Sequence, residues 1–132
     1  MKKKSLLLLC LLLFSGLSML FFSSCDKDTD SYLLVTVVNG NSTSPISNVS
    51  LEIYPEGGNI KKHTGKTDEN GQFLTSFKAP SIVTINAKYI VESLCTENQI
   101  AFRRTTSSAR LKDGETVEVT VNMPTLVEYA NK

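Results

Sequence analysis

Residues 32–132 predict an all-β domain, a six- to seven-stranded antiparallel β-sandwich, on three observations. Apolar and polar residues alternate with a period of two in short runs. No stretch beyond Tyr32 keeps a helical period for three turns. Each run is closed by turn chemistry: "NGNSTSP", "PEGG", "TDENG", "KAPS" and "KDGE". Strands with one wet face pair into antiparallel sheets and bury their apolar faces against each other, which defines a two-layer sandwich.

Residues 1–24 precede that domain and read as a secretory signal. Lys2, Lys3 and Lys4 form a positive start, "SLLLLCLLLFSGLSMLFF" is an apolar run, and Ser23 and Ser24 are small residues before a cleavage point. A transmembrane anchor is the rival reading, and this run is near the lower limit of about 18 residues for crossing a bilayer. Cys25 separates the two. "FSSC" resembles the bacterial lipobox, with Phe22 where Leu is usual, and the resemblance implies diacylglycerol on the Cys25 thiol and cleavage before it. Acyl chains anchor at about 0.8 kcal/mol per buried CH₂. Residues 25–31 then form a lipidated and acidic tether: Asp26, Asp28 and Asp30 around Lys27 resemble the surface-export signal of Bacteroidota-type lipoproteins. As a charge run they also suit a solvated spacer.

The strands follow in order. "YLLVTVV" ends at Asn39-Gly40, and "VSLEIY" sets Val49, Leu51 and Ile53 against Ser50, Glu52 and Tyr54. "QFLTSF" puts Phe73, Thr75 and Phe77 on one face; "IVTINAKY" does so with Val83, Ile85, Ala87 and Tyr89. "IAFRRT" is shorter, and "TVEVTVN" turns Val117, Val119 and Val121 inward. Residues 90–110 read largely as a long connection.

"KTDENGQF", residues 66–73, is the clearest local motif. Asp68 can bond the backbone two residues on, Asn70 and Gly71 tolerate positive φ, and Phe73 returns the chain to the core. Gly71 is expected as the left-handed residue of a bulged hairpin. With "LLVTVVNG", "SPISNVSLEIY" and "IVTINAKY", this motif resembles the carboxypeptidase regulatory-like domains. The resemblance covers roughly residues 32–89 and returns at "ETVEVTVNM". It implies a transthyretin-like or Ig-like Greek-key sandwich and a non-catalytic role in spacing or presenting a partner.

Charge and composition narrow the function. Loss of Lys2, Lys3 and Lys4 takes Lys+Arg from 14 to 11 against 13 Asp+Glu, so a precursor of +1 becomes a mature chain of about −2. Sustained phosphate contact needs a basic excess, so nucleic acid is not an expected partner. With Cys10 in the leader and Cys25 lipidated, Cys95 stands alone and reads as a small buried hydrophobe. His63, the one histidine, lies in "KKHTGK" and reads as an exposed turn residue; one His and one Cys do not make a zinc site. The 68–71 acidic turn lacks the span and distal Glu of a calcium loop. A nucleophilic serine has no elbow motif. No catalytic residue, metal or cofactor is therefore expected.

Recognition remains. The candidate interaction residues are Tyr54, Arg103 and Arg104, with the "NGNSTSP" loop and the 90–110 connection. The expected protein is a lipid-anchored outer-membrane or surface lipoprotein. Its sandwich serves as an accessory interaction module for another envelope protein, contacted at an exposed strand edge. The alternative is a glycan- or peptide-binding module using the loops at one end.

Overall fold

The computed structural model describes residues 30–57, 61–78 and 81–132. The leader, Cys25 and most of the acidic tether lie outside the described residues. Eight strands follow in order: β1 Ser31–Asn39, β2 Ser50–Pro55, β3 His63–Lys66, β4 Gln72–Phe77, β5 Ile82–Ile90, β6 Gln99–Arg110, β7 Thr116–Met123 and β8 Glu128–Asn131. They form a three-stranded sheet, β4-β1-β7, and a five-stranded sheet, β3-β2-β5-β6-β8. The all-β sandwich is the observed architecture, and its first strand starts at Ser31, one residue before the expected boundary.

The period of two sets the core. Leu33, Val35 and Val37 of β1 face Leu51 and Ile53 of β2 and Val83 and Ile85 of β5, and all are shielded from water. Met123 and Val121 close the layer from β7. Burying each such side chain fully is worth roughly 1.5–3 kcal/mol relative to leaving it exposed.

Three sequence expectations are corrected. The sheets are not wholly antiparallel: β1 pairs β7 in parallel, Tyr32 opposite Thr116 through Asn39 opposite Met123. Alternation is the same in either ladder, so the period cannot reveal direction. A parallel pair needs a long crossover, and the whole excursion through the second sheet supplies it. The described residues form eight strands where the pattern gave six or seven, because β3 ("HTGK") and β8 ("EYAN") are short and polar and carry no apolar alternation. Residues 90–110 are mostly strand: a single 3-10 turn at Glu92–Leu94 leads to the twelve-residue β6. On its inward side β6 places Ala101 and Ala109 in the core, but Arg103, Thr105 and Ser107 between them are only half-buried. Without an apolar stripe over that stretch, the strand is hidden from a hydrophobic pattern.

The 66–73 motif joins the two sheets, and is not a hairpin within one: β3 belongs to the large sheet and β4 to the small. Asp68 Oδ1 accepts the N–H groups of Asn70 (2.9 Å) and Gln72 (2.8 Å), and Gly71 takes φ +71°. Thr67, buried, clamps the crossing: its hydroxyl donates to Ile46 O (2.8 Å) and accepts from Val49 N–H (2.9 Å). Those two bonds satisfy backbone groups that would be costly to bury unpaired.

Candidate functional site

Adjacent residues of a strand point to opposite faces, and this separates the candidates. Tyr54 on β2 and Arg104 on β6 share the outer face of the five-stranded sheet. Arg103 lies on the inner side, its guanidinium 5.2 Å from the Tyr89 ring centroid and its Nη1 donating to Pro124 O at 3.5 Å. Arg103 thus seals the gap between the sheets near β7, and only Tyr54 and Arg104 belong to one surface.

That outer face is ordered in rows by the strand register. One row runs Lys66, Ser50, Lys88, Arg104 across β3, β2, β5 and β6. The next runs Thr64, Glu52, Asn86, Thr106. Side chains of β2 and β6 rise on either side of β5 and enclose an open groove of about 550 Å³, lined among others by Ser50, Glu52, Asn86, Lys88, Arg104 and Thr106. Its size lies within the usual range for small-ligand sites, about 300–1,000 Å³.

The polar groups of the groove are positioned by neighbours. Arg104 forms a two-pronged pair with Glu128 of β8, Nη2 to Oε2 at 3.0 Å and Nε to Oε1 at 3.1 Å. Lys88 Nζ sits over the Phe102 ring, 4.4 Å from its centroid. Thr106 donates its hydroxyl to Asn86 Oδ1 at 3.0 Å, and the Asn86 amide nitrogen carries two further N–H donors. Glu52 accepts from the Tyr54 hydroxyl at 2.5 Å and from Lys62 Nζ at 3.2 Å. These bonds, the Tyr54 one first, hold the Glu52 carboxyl below its usual range. The same bond raises the Tyr54 phenol, and the pairing with Glu52 raises the Lys62 ammonium.

The remaining candidates have structural surroundings. His63 is half-buried on β3, contrary to an exposed turn position: its Nδ1 is 2.6 Å from Thr75 Oγ1 and its ring stacks on Phe77 at 4.3 Å. It ties β3 to β4 across the two sheets, a role its polar neighbours in sequence did not signal. Cys95 is partly buried after the 3-10 turn, its Sγ 3.4 Å from Val91 O and accepting the Ala101 N–H at 3.4 Å. Among the described residues no group of three or more His, Cys, Asp or Glu could hold a metal.

A second surface feature is the β7 edge of the small sheet, which no strand among the described residues covers. Glu115 O accepts the Tyr32 N–H of β1, and Met123 O accepts the N–H of Gly40 just beyond it. In a parallel ladder alternate residues bond to the same neighbour, so Thr116, Glu118, Thr120 and Asn122 point their N–H and C=O groups away from β1. Beside this edge the outer face carries an apolar patch: Tyr32 and Leu34 on β1, and Leu74 on β4, which is 59% exposed.

Neither a family model nor a curated protein matches the chain. Among solved structures, the chain is similar to a 9R-lipoxygenase from Cyanothece PCC8801, at 15% identity and a TM-score of 0.40. The likeness spans 73% of this chain and 17% of that one.

Proposed function

We propose that the chain is a lipid-anchored, non-catalytic accessory module of the bacterial outer envelope. Its sandwich takes an extended segment of a neighbouring envelope protein onto the β7 edge. One observation carries this reading: β7 is an eight-residue edge strand, Thr116–Met123, whose outward backbone groups have no backbone partner among the described residues. Edges are ordinarily blunted by Lys, Pro, a bulge or shortness. β7 has none of these; its single charge is Glu118, and it is rich in the β-branched residues that suit strand pairing. An added strand gains main-chain hydrogen bonds from such an edge and specificity from alternate side chains.

The leader, the lipobox-like "FSSC" and the resemblance to carboxypeptidase regulatory-like domains support the address and the presenting role. Acylation of Cys25 would confine the domain to the membrane plane and raise its effective concentration toward partners there.

Two variants test the reading by fractionation of cells. Cys25→Ala should move the protein out of the membrane fraction; retention there contradicts the anchor. Thr120→Pro deletes an N–H that points away from β1, so the fold is kept while edge pairing is blocked. It should stay anchored and lose its crosslinked partner. Unchanged crosslinking would contradict the edge.

A further inference from the structure

Lys88 and Arg104 stand directly opposite each other on β5 and β6. Neighbouring strands are about 4.8 Å apart, and like charges in such a pair repel. Arg104 is compensated by Glu128, but Lys88 is held only over the Phe102 ring, with no carboxylate partner among the described residues. Lys66 continues the same row beyond Ser50. An anionic group seated between Lys88 and Arg104 would relieve this repulsion. Arg104 keeps N–H donors that Glu128 does not occupy.

The next row limits what that anion can belong to. Glu52, Asn86 and Thr106 lie one step along the same strands, about 6.7 Å away. A polyanion would meet the Glu52 carboxylate. A molecule with one acidic group and several hydroxyls would meet complementary groups throughout: Glu52 accepts from hydroxyls, and Asn86 and Ser50 donate to oxygens. An extended peptide gains nothing from β5 under the groove, because from Val83 to Lys88 the strand is paired on both sides, to β2 and β6. The groove reads side chains only.

We infer that the outer face of the five-stranded sheet, over β5, is a binding site for an acidic saccharide. Its carboxylate sits between Lys88 and Arg104, and its hydroxyls bond Glu52, Asn86 and Ser50. Tyr54 is a positioning residue: with Lys62 it fixes the Glu52 carboxylate. This site is separate from the β7 edge and lies on the opposite sheet, so either assignment can fail without the other.

The test is calorimetric titration of the full chain in detergent micelles with an aldobiouronate (one uronate linked to one neutral sugar), its methyl ester and an aspartate-rich hexapeptide. The aldobiouronate should bind saturably, with the esterified sugar and the peptide at least tenfold weaker. Lys88→Gln and Arg104→Gln should each weaken binding at least tenfold at an unchanged melting temperature. Arg110→Gln, on the same face but away from the groove, should bind as the wild type does. Absence of saturable binding overturns the proposal, as do equal binding of the esterified sugar, tighter binding of the peptide, or full affinity in both folded groove variants.

Discussion

Gly65 of β3 lies face to face with Phe73 of β4 across the two sheets: a Cβ on Gly65 would come within 2.0 Å of the Phe73 ring. The glycine is therefore a space requirement. It lets the ring of the first residue to re-enter the core after the crossing settle against the β3 backbone. Closely packed interiors do not yield to an extra methyl group without displacing side chains.

Gly65→Ala should destabilise the domain by about 1–3 kcal/mol, the usual range for overpacking. Urea unfolding of Gly65→Ala, Phe73→Leu and the double variant measures it. The two changes should couple, with the double variant more stable than the sum of the singles implies. Additive effects would mean that the two residues do not touch.

Gly71→Val should also destabilise, by about 2–4 kcal/mol, for two reasons. Its φ of +71° resists a β-branched side chain, and its Cβ would stand 2.7 Å from Val37 O and 2.9 Å from Pro45 Cβ. A melting curve unchanged from the wild type would contradict the clamped turn.

The Glu52–Tyr54 hydrogen bond makes a spectroscopic prediction. Because the Tyr54 pKa is raised by its bond to Glu52, the phenol should ionise above the usual value of about 10. The bond's contribution is complete below that ordinary value and is lost as pH rises through the raised one. At the acid end the sign reverses: Glu52 is lowered, so its contribution is present above about pH 4 and is lost as pH falls through the lowered value. Both groups are well exposed, so the effects on stability are small. The difference in tyrosinate absorbance between wild type and Tyr54→Phe isolates the Tyr54 curve. Its midpoint should fall when Glu52→Gln is introduced; an ordinary midpoint with Glu52 in place contradicts the bond.

Where burial is one-sided, the sequence was legible. β1, β2, β4, β5 and β7 were read from apolar positions two apart, and the Asp68–Phe73 turn from residues whose backbone needs are local. β3 and the middle of β6 were not legible, because their inward positions are Gly65, His63, Arg103, Thr105 and Ser107 and carry no hydrophobic stripe, and β8 is four residues with none buried. Arg103 and Arg104 were grouped as neighbours in sequence, although a strand sends them to opposite faces. The groove could not be seen at all. Lys88 and Arg104 are sixteen positions apart, and only the β5–β6 register sets them side by side. The β7 edge depends likewise on which strands pair and in which direction.

Whether β7 receives a partner strand can be read by site-specific photocrosslinking in intact cells. Benzoylphenylalanine would replace Glu118, on the β7 edge, and separately Ser108, on the outer face of the other sheet. A discrete protein adduct is expected from position 118, absent from position 108 and abolished by Thr120→Pro. No adduct at 118, or adducts at both positions that Thr120→Pro leaves intact, would contradict a partner strand at β7.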